Sequence, residues 1–217
     1  MKKITIIDYG LSNLLSVRRA FAHFGAEVSI TGDRAQIELA DNLVLPGVGA
    51  FEDGMNGLRK LGLVETIRNK CASETPLIGI CLGMQMLFDE SFEFGRHAGL
   101  GLIPGRVEKI PNIDAAGNRQ LVPNIGWNVL IPTDDERDLR DTVLRNFPQN
   151  GEVYFVHSFE AKPAKTKFNL AHTVYGDRDV CAVAVNEAGN AVGCQFHPEK
   201  SGAAGLAVIE AFLEQCV

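Results

Sequence analysis

No CxxC pair, no apolar run long enough to cross a bilayer, no basic tract and no repeated or low-complexity segment occurs in the 217 residues. Each absence closes a class of reading. The five cysteines, Cys71, Cys81, Cys181, Cys194 and Cys216, are odd in number and lack paired spacing. That argues against a disulfide framework or a cysteine-rich zinc site, and no metal or other cofactor is expected. A reducing compartment fits best. The first apolar stretch, Ile4 to Ile7, is too short for a signal peptide and runs into a turn, so a cytoplasmic protein is expected. A net charge of −6 gives no electrostatic case for nucleic acid or an anionic membrane surface. Small molecules or another protein are the expected partners.

What is present is the composition of a globular chain, with 46% hydrophobic and 22% charged residues, long enough for a substantial core. One domain spanning 1–217 is expected. Lys3 to Ile7 reads as a strand, Leu14 to Phe24 as an amphipathic helix, and Glu27 to Thr31 and Asn42 to Leu45 as two further strands. Phe51 to Cys71 carries apolar residues at helical spacing, interrupted near Gly62. This alternation predicts an α/β fold with a mostly parallel central sheet covered by helices on both faces. The second half changes character: Gly105 to Ile110, Gln120 to Ile131 and Gly151 to Phe159 read as short strands, with Thr133 to Asp141 as a charged connection. Ala182 to Asn186 and Ala191 to Phe196 flank a hairpin loop, so antiparallel strands are added here. Ser201 to Gln215 closes the chain as an amphipathic helix.

The chain is organised around Leu77-Ile78-Gly79-Ile80-Cys81-Leu82-Gly83, an apolar run ending in a Gly-x-Cys-x-Gly turn before residues of helical spacing. This is the thiol form of a nucleophile elbow, in which a strand delivers a reactive side chain to a tight turn at a helix start. Glycines on either side avoid collisions, and the helix N-terminus favours a thiolate. A buried core cysteine has nearly equal claim on this pattern alone. A nucleophile also needs a base, and the best placed of the five histidines is His197, in Gln195-Phe196-His197-Pro198-Glu199. A residue before proline tends to be extended, so His197 and Glu199 project to the same side and the carboxylate can hold the imidazole. Acyl chemistry further needs oxyanion donors. The Leu82 N–H is one candidate; Pro46-Gly47-Val48-Gly49 offers the second, with Gly47 letting its peptide to Val48 turn.

Together, GICLGMQ, HPEKS, PGVGAF and Tyr154-Phe155-Val156-His157-Ser158-Phe159 resemble the class I (triad) glutamine amidotransferases over nearly the whole chain. Asp8-Tyr9-Gly10, PGVGAF, YFVHS and HPEKSG are most similar to the glutaminase subunits of imidazole glycerol phosphate synthases. The resemblance implies a triad of Cys81, His197 and Glu199 and an oxyanion hole from Leu82 and Val48, with Gly47 as its hinge. It implies an L-glutamine pocket containing Gln85, Glu93, His157, Ser158 and Phe159, the last two through backbone. It also implies a (β/α)8-barrel cyclase partner that takes up the ammonia, contacted at or near Asn13, Asn124 and Trp127. Gln195 is assigned no role.

Ser12, Asn124 and Phe159 depart from the common family pattern, where glycine, histidine and tyrosine are usual. Two of the three lie in stretches expected to face the partner, so a related glutaminase serving sugar amidation in surface-polysaccharide synthesis stands as the alternative. An inert or redox-sensing module on the same fold is a further one, against which the intact triad counts. The Gly47 hinge predicts low turnover by the chain alone, because an N–H that must first reorient leaves the oxyanion site incomplete.

Overall fold

A computed structural model describes residues 1–11, 13–114, 117–133 and 138–216. Ser12 and residues 134–137 of the charged connection expected from Thr133 to Asp141 therefore lie outside the described residues. The first half alternates as its periodicity predicts: β1 (Lys3–Ile7), α1 (Leu14–His23), β2 (Glu27–Thr31), α2 (Arg34–Glu38), β3 (Leu43–Gly47), α3 (Phe51–Lys60), α4 (Leu63–Ala72) and β4 (Leu77–Cys81). The break between α3 and α4 falls at Gly62, whose φ of 67° a side chain would resist. A five-residue helix α5 (Leu82–Met86) follows β4 directly.

Beyond α5 come β5 (Phe88–Ser91), β6 (His97–Ala98), β7 (Ile103–Lys109), β8 (Asn124–Val129), β9 (Ile131–Pro132), β10 (Glu152–His157), β11 (Phe159–Pro163), β12 (Asn169–Tyr175), β13 (Arg178–Val185), β14 (Ala191–Cys194) and α6 (Gly202–Gln215). The residues of helical spacing behind the Gly-x-Cys-x-Gly turn form a helix only as far as Met86, and Phe88 opens a strand instead. Its burial against Ile103 in the β5–β7 pairing outweighs local periodicity. Gln120 to Ile131, expected as one strand, is irregular before Asn124 and divided at Leu130.

The described strands form an eight-stranded sheet in the order β2-β1-β3-β4-β14-β13-β12-β9. Its first five members are parallel and β14-β13-β12-β9 run antiparallel, which is the mostly parallel sheet with an antiparallel extension expected from the sequence. The continuous apolar runs of β1, β3 and β4 are explained by burial on both faces. Ile4, Ile6, Val44, Ile78 and Ile80 pack with α1 and α6 on one side, where Phe21 meets Phe212 edge to face. Ile7, Leu43, Leu45 and Leu77 pack with α2, α3 and α4 on the other. Two smaller sheets, β10-β8 and β11-β7-β5-β6, build the rim above the C-terminal ends of the parallel strands.

Candidate active site

Three adjacent parallel strands bring the expected reactive residues to one edge. β3 pairs with β4 so that Gly47 lies opposite Cys81, and β14 pairs with β4 so that Cys194 lies opposite Ile80. The residues that follow β14, through His197, are thereby carried to the side on which Cys81 ends its strand. Ligand and catalytic groups gather at the carboxyl ends of such strands because the loops there diverge. Proximity between residues more than a hundred positions apart is thus set by strand register.

Cys81 has φ 54° and ψ −110°, a conformation that costs a non-glycine residue roughly 1–3 kcal/mol and persists where neighbours overdetermine it. The overdetermining contact is the next turn, pressed against β3 so closely that a Cβ on Gly83 would overlap the Leu45 carbonyl. The elbow also makes Leu82 N–H the first of α5, without an intrahelical acceptor. With only five residues behind it, α5 contributes a modest dipole, less than a long helix would supply.

His197 is 2% exposed, not solvated, and its Nδ1–H donates to Glu199 Oε1 at 2.9 Å. The backbone there is pinned: His197 N–H donates to the Tyr154 carbonyl, while Ser201 Oγ donates to the His197 carbonyl at 2.6 Å and accepts Tyr154 N–H. Burial on its own would depress the imidazolium. The Cys81 sulfur and the Glu199 carboxylate outweigh it and push the ring's pKa up to about 9, so His197 carries a proton near neutrality. Its Nε2 makes no aligned hydrogen bond and is left to the sulfur and an incoming substrate.

A cavity of about 470 Å³ opens on these groups. Val48, Cys81, Leu82, Gln85, Glu93, His157, Ser158, Phe159 and His197 all line it; Gly47 lies beneath and Glu199 behind His197. Gln85 Nε2 donates to the Phe159 carbonyl at 3.1 Å and to Gln195 Oε1 at 3.0 Å, so its amino end is spent inside the protein. Glu93 gives one oxygen to the Phe51 N–H at 2.7 Å, capping α3, and burial raises its pKa. His157 is pushed down to about 4, chiefly by burial. As a neutral ring it donates from Nδ1 to the Phe159 carbonyl at 2.8 Å and accepts at Nε2 from Asn124 at 3.2 Å.

The two expected oxyanion donors are unequal. Val48 N–H donates to the Leu11 carbonyl at 3.3 Å, so in this state it is turned away from the thiol. Gly47 is not in the left-handed region; the positive φ falls at Gly49, 115°. What Gly47 supplies is close approach, since a Cβ there would overlap the Tyr9 hydroxyl, which donates to the Pro46 carbonyl at 2.7 Å. Tyr9 and Leu11 thus hold the strand end expected to supply the second oxyanion donor, contacts not foreseen from sequence.

Of the residues expected near a partner, Asn13 is exposed and Trp127 is 51% exposed. Asn124 corrects the expectation: it is 1% exposed and spends its amide on His157 and Asn128, while Ile125 beside it faces outward at 61%. Alternation along β8 puts successive side chains on opposite faces, which separates Asn124 from its neighbours. Sequence reasoning also missed Gln195, whose amide lies 3.9 Å from the Cys81 sulfur. The alternation that pairs His197 with Glu199 places Gln195 on the same side and could have found it.

A conserved-domain description, glutamine amidotransferase class-I, matches residues 5–216. The chain belongs to the class-I glutamine amidotransferases. Imidazole glycerol phosphate synthase subunit HisH 1 of Legionella pneumophila (strain Lens) is 50% identical to it over 99% of this chain and 100% of that one. Subunit HisH of Geobacillus thermodenitrificans (strain NG80-2) is 43% identical over 98% and 96%. A chain in the structure of PurLQS from Thermotoga maritima shares the fold, with a TM-score of 0.74, 22% identity and 99% of each chain covered.

Proposed function

We propose that the chain is the glutaminase subunit of an imidazole glycerol phosphate synthase, and that Cys81, His197 and Glu199 hydrolyse glutamine to supply ammonia to a cyclase subunit. The observation that carries this reading is the convergence of a strained cysteine elbow and a buried, carboxylate-held imidazole on one cavity. The full-length relatives named as HisH favour this synthase over a sugar-amidating one. The departure at Asn124 carries little weight against it, because that residue is buried against His157.

In this mechanism the Cys81 sulfur attacks the side-chain amide carbon of glutamine, and the resulting oxyanion is held by Leu82 N–H and a reoriented Val48 N–H. His197 gives its proton to the amide nitrogen, and ammonia leaves as the C–N bond breaks. Water then attacks the γ-glutamyl thioester while His197 accepts its proton; the C–S electron pair returns to sulfur and glutamate departs. Glu199 holds Nδ1 and stabilises the imidazolium throughout.

The Val48 N–H bonded to Leu11 gives the predicted low basal turnover a structural form. Asn13 stands two residues from Leu11, so a partner docked on Asn13 and Trp127 acts on the same loop that withholds the oxyanion donor. The deciding experiment is reconstitution. The chain mixed with a histidine-pathway cyclase should form imidazole glycerol phosphate from glutamine, and the Cys81→Ala chain should not. Product formation from glutamine by the Cys81→Ala mixture overturns the catalytic assignment; ammonia transfer only to a sugar-amidating synthase overturns the pathway.

A further inference from the structure

Gln195 is fully buried, with its N–H held by the Ala182 carbonyl at 2.9 Å, yet nothing in the mechanism above uses its side chain. Its orientation follows from chemistry. The Phe159 carbonyl can only accept, so the end of Gln85 that lies 3.1 Å away is the amino end. The second hydrogen of that Gln85 nitrogen goes to Gln195 at 3.0 Å, which must therefore present its oxygen. The amino end of Gln195 is left 3.9 Å from the Cys81 sulfur, within reach of a hydrogen bond to sulfur. One backbone carbonyl thus fixes the sense of two amides in series and points a donor at the nucleophile.

We propose that Gln195 is a further residue of the catalytic centre, donating a hydrogen bond to the Cys81 sulfur whenever that sulfur is an anion. This deepens the glutaminase reading and rests on it. The sulfur bears negative charge twice, before it attacks the amide and again when the C–S bond of the thioester breaks and its electron pair returns to sulfur. His197 cannot serve the sulfur as sole donor through the second event, because it is then occupied with the proton taken from water. A fixed amide has no proton to transfer, so it stabilises the anion without competing in acid–base exchange. Hydrogen bonds to charged acceptors are roughly twice as strong as neutral ones, and in a buried site they are not replaced by water. The contact also joins the nucleophile to the cavity wall, since Gln85 lines the cavity and holds Gln195 in place.

The test is alkylation of Cys81 by iodoacetamide as a function of pH, read by mass spectrometry at that residue in the free chain. Gln195→Met keeps the side-chain volume and removes the donor. It should move the rate profile about one pH unit higher and slow alkylation about tenfold on the rising limb of that profile, one unit being a tenfold change in the anionic fraction there. A profile superimposable on that of the unsubstituted chain overturns the proposal. A second measurement needs no change at Gln195. Its side-chain amide proton resonances should shift across the same pH range and stay fixed in Cys81→Ser; resonances that do not follow the alkylation profile in the unsubstituted chain overturn the proposal even if Gln195→Met does not fold. Partner-stimulated glutamine turnover is scored separately. An unsubstituted chain that turns over no glutamine with any synthase refutes the amidotransferase reading, while its alkylation profile still decides the role of Gln195.

Discussion

His157 and His197 line one cavity and are driven in opposite directions. Burial pushes His157 down to about 4, whereas the sulfur and carboxylate facing His197 push it up to about 9. The consequences for stability have opposite signs. The depressed His157 contributes stability that is complete above the unfolded value of about 6.5 and is lost as pH falls through its folded value. The raised His197 contributes stability that is complete below about 6.5 and is lost as pH rises through its folded value. Urea unfolding at a series of pH values between 7 and 4 should therefore show a falling component of at most about 1.4 kcal/mol per pH unit that Gln substitution at His157 removes. An unchanged slope in His157→Gln would place the acid sensitivity elsewhere. At the same scale, Cys81→Ala should abolish partner-stimulated glutaminase activity with unchanged circular dichroism, because the thiol takes no part in the backbone pairing that builds β4 and α5.

Elements set the tolerances that these residues need. The β4-to-α5 turn is pressed onto β3 so closely that Gly83 has no room for a methyl group against the Leu45 carbonyl. Gly83→Ala should destabilise the chain by roughly 3 kcal/mol or more, measured as the loss in unfolding free energy, since backbone rather than a flexible side chain would have to move. The loop between β1 and α1 acts on the neighbouring strand end through the Leu11 carbonyl and Val48 N–H. In the free chain the Val48 amide should show slowed hydrogen exchange. Binding of the cyclase together with glutamine should perturb it in step with the rise in turnover; full turnover by the free chain would contradict this account.

At the scale of the whole molecule, the parallel sheet holds the reactive groups while the β10–β8 ribbon carries exposed Ile125 and Trp127. Trp127 lies opposite Tyr154 in that ribbon, their rings 6.0 Å apart, and the Tyr154 carbonyl holds the His197 backbone. The proposed docking face is therefore one strand removed from the base. As the single tryptophan of the chain, Trp127 should report cyclase binding by a blue shift of its fluorescence. Trp127→Ala should weaken the complex by about 2 kcal/mol or more, the range of an interfacial aromatic anchor, with little change in the stability of the free chain. Among the described residues no helix is long and apolar enough to cross a membrane.

Much of this was legible in the sequence, for physical reasons that differ between elements. The period of the apolar residues determined α1, α3, α4 and α6, and the continuous apolar runs determined β1, β3 and β4, because burial on two faces leaves no polar alternation. The turn chemistry of Gly-x-Cys-x-Gly and of His-Pro-Glu pointed to Cys81 and His197 as the candidate reactive pair, since both act over a few positions. The strands β5, β6, β11 and β12 were not foreseen: β5, β6 and β11 are only two to five residues long, and burial along β12 does not alternate cleanly. Nor could local pattern reveal that Asn124 is turned inward to His157 while Trp127 stays outside. Tertiary structure alone decided that the Val48 N–H rests on Leu11, that Tyr9 holds Pro46, and that Gln195 aims its amide at Cys81. Each of those contacts joins segments whose meeting depends on strand register and on competition for hydrogen-bond partners, quantities that no stretch of sequence contains by itself.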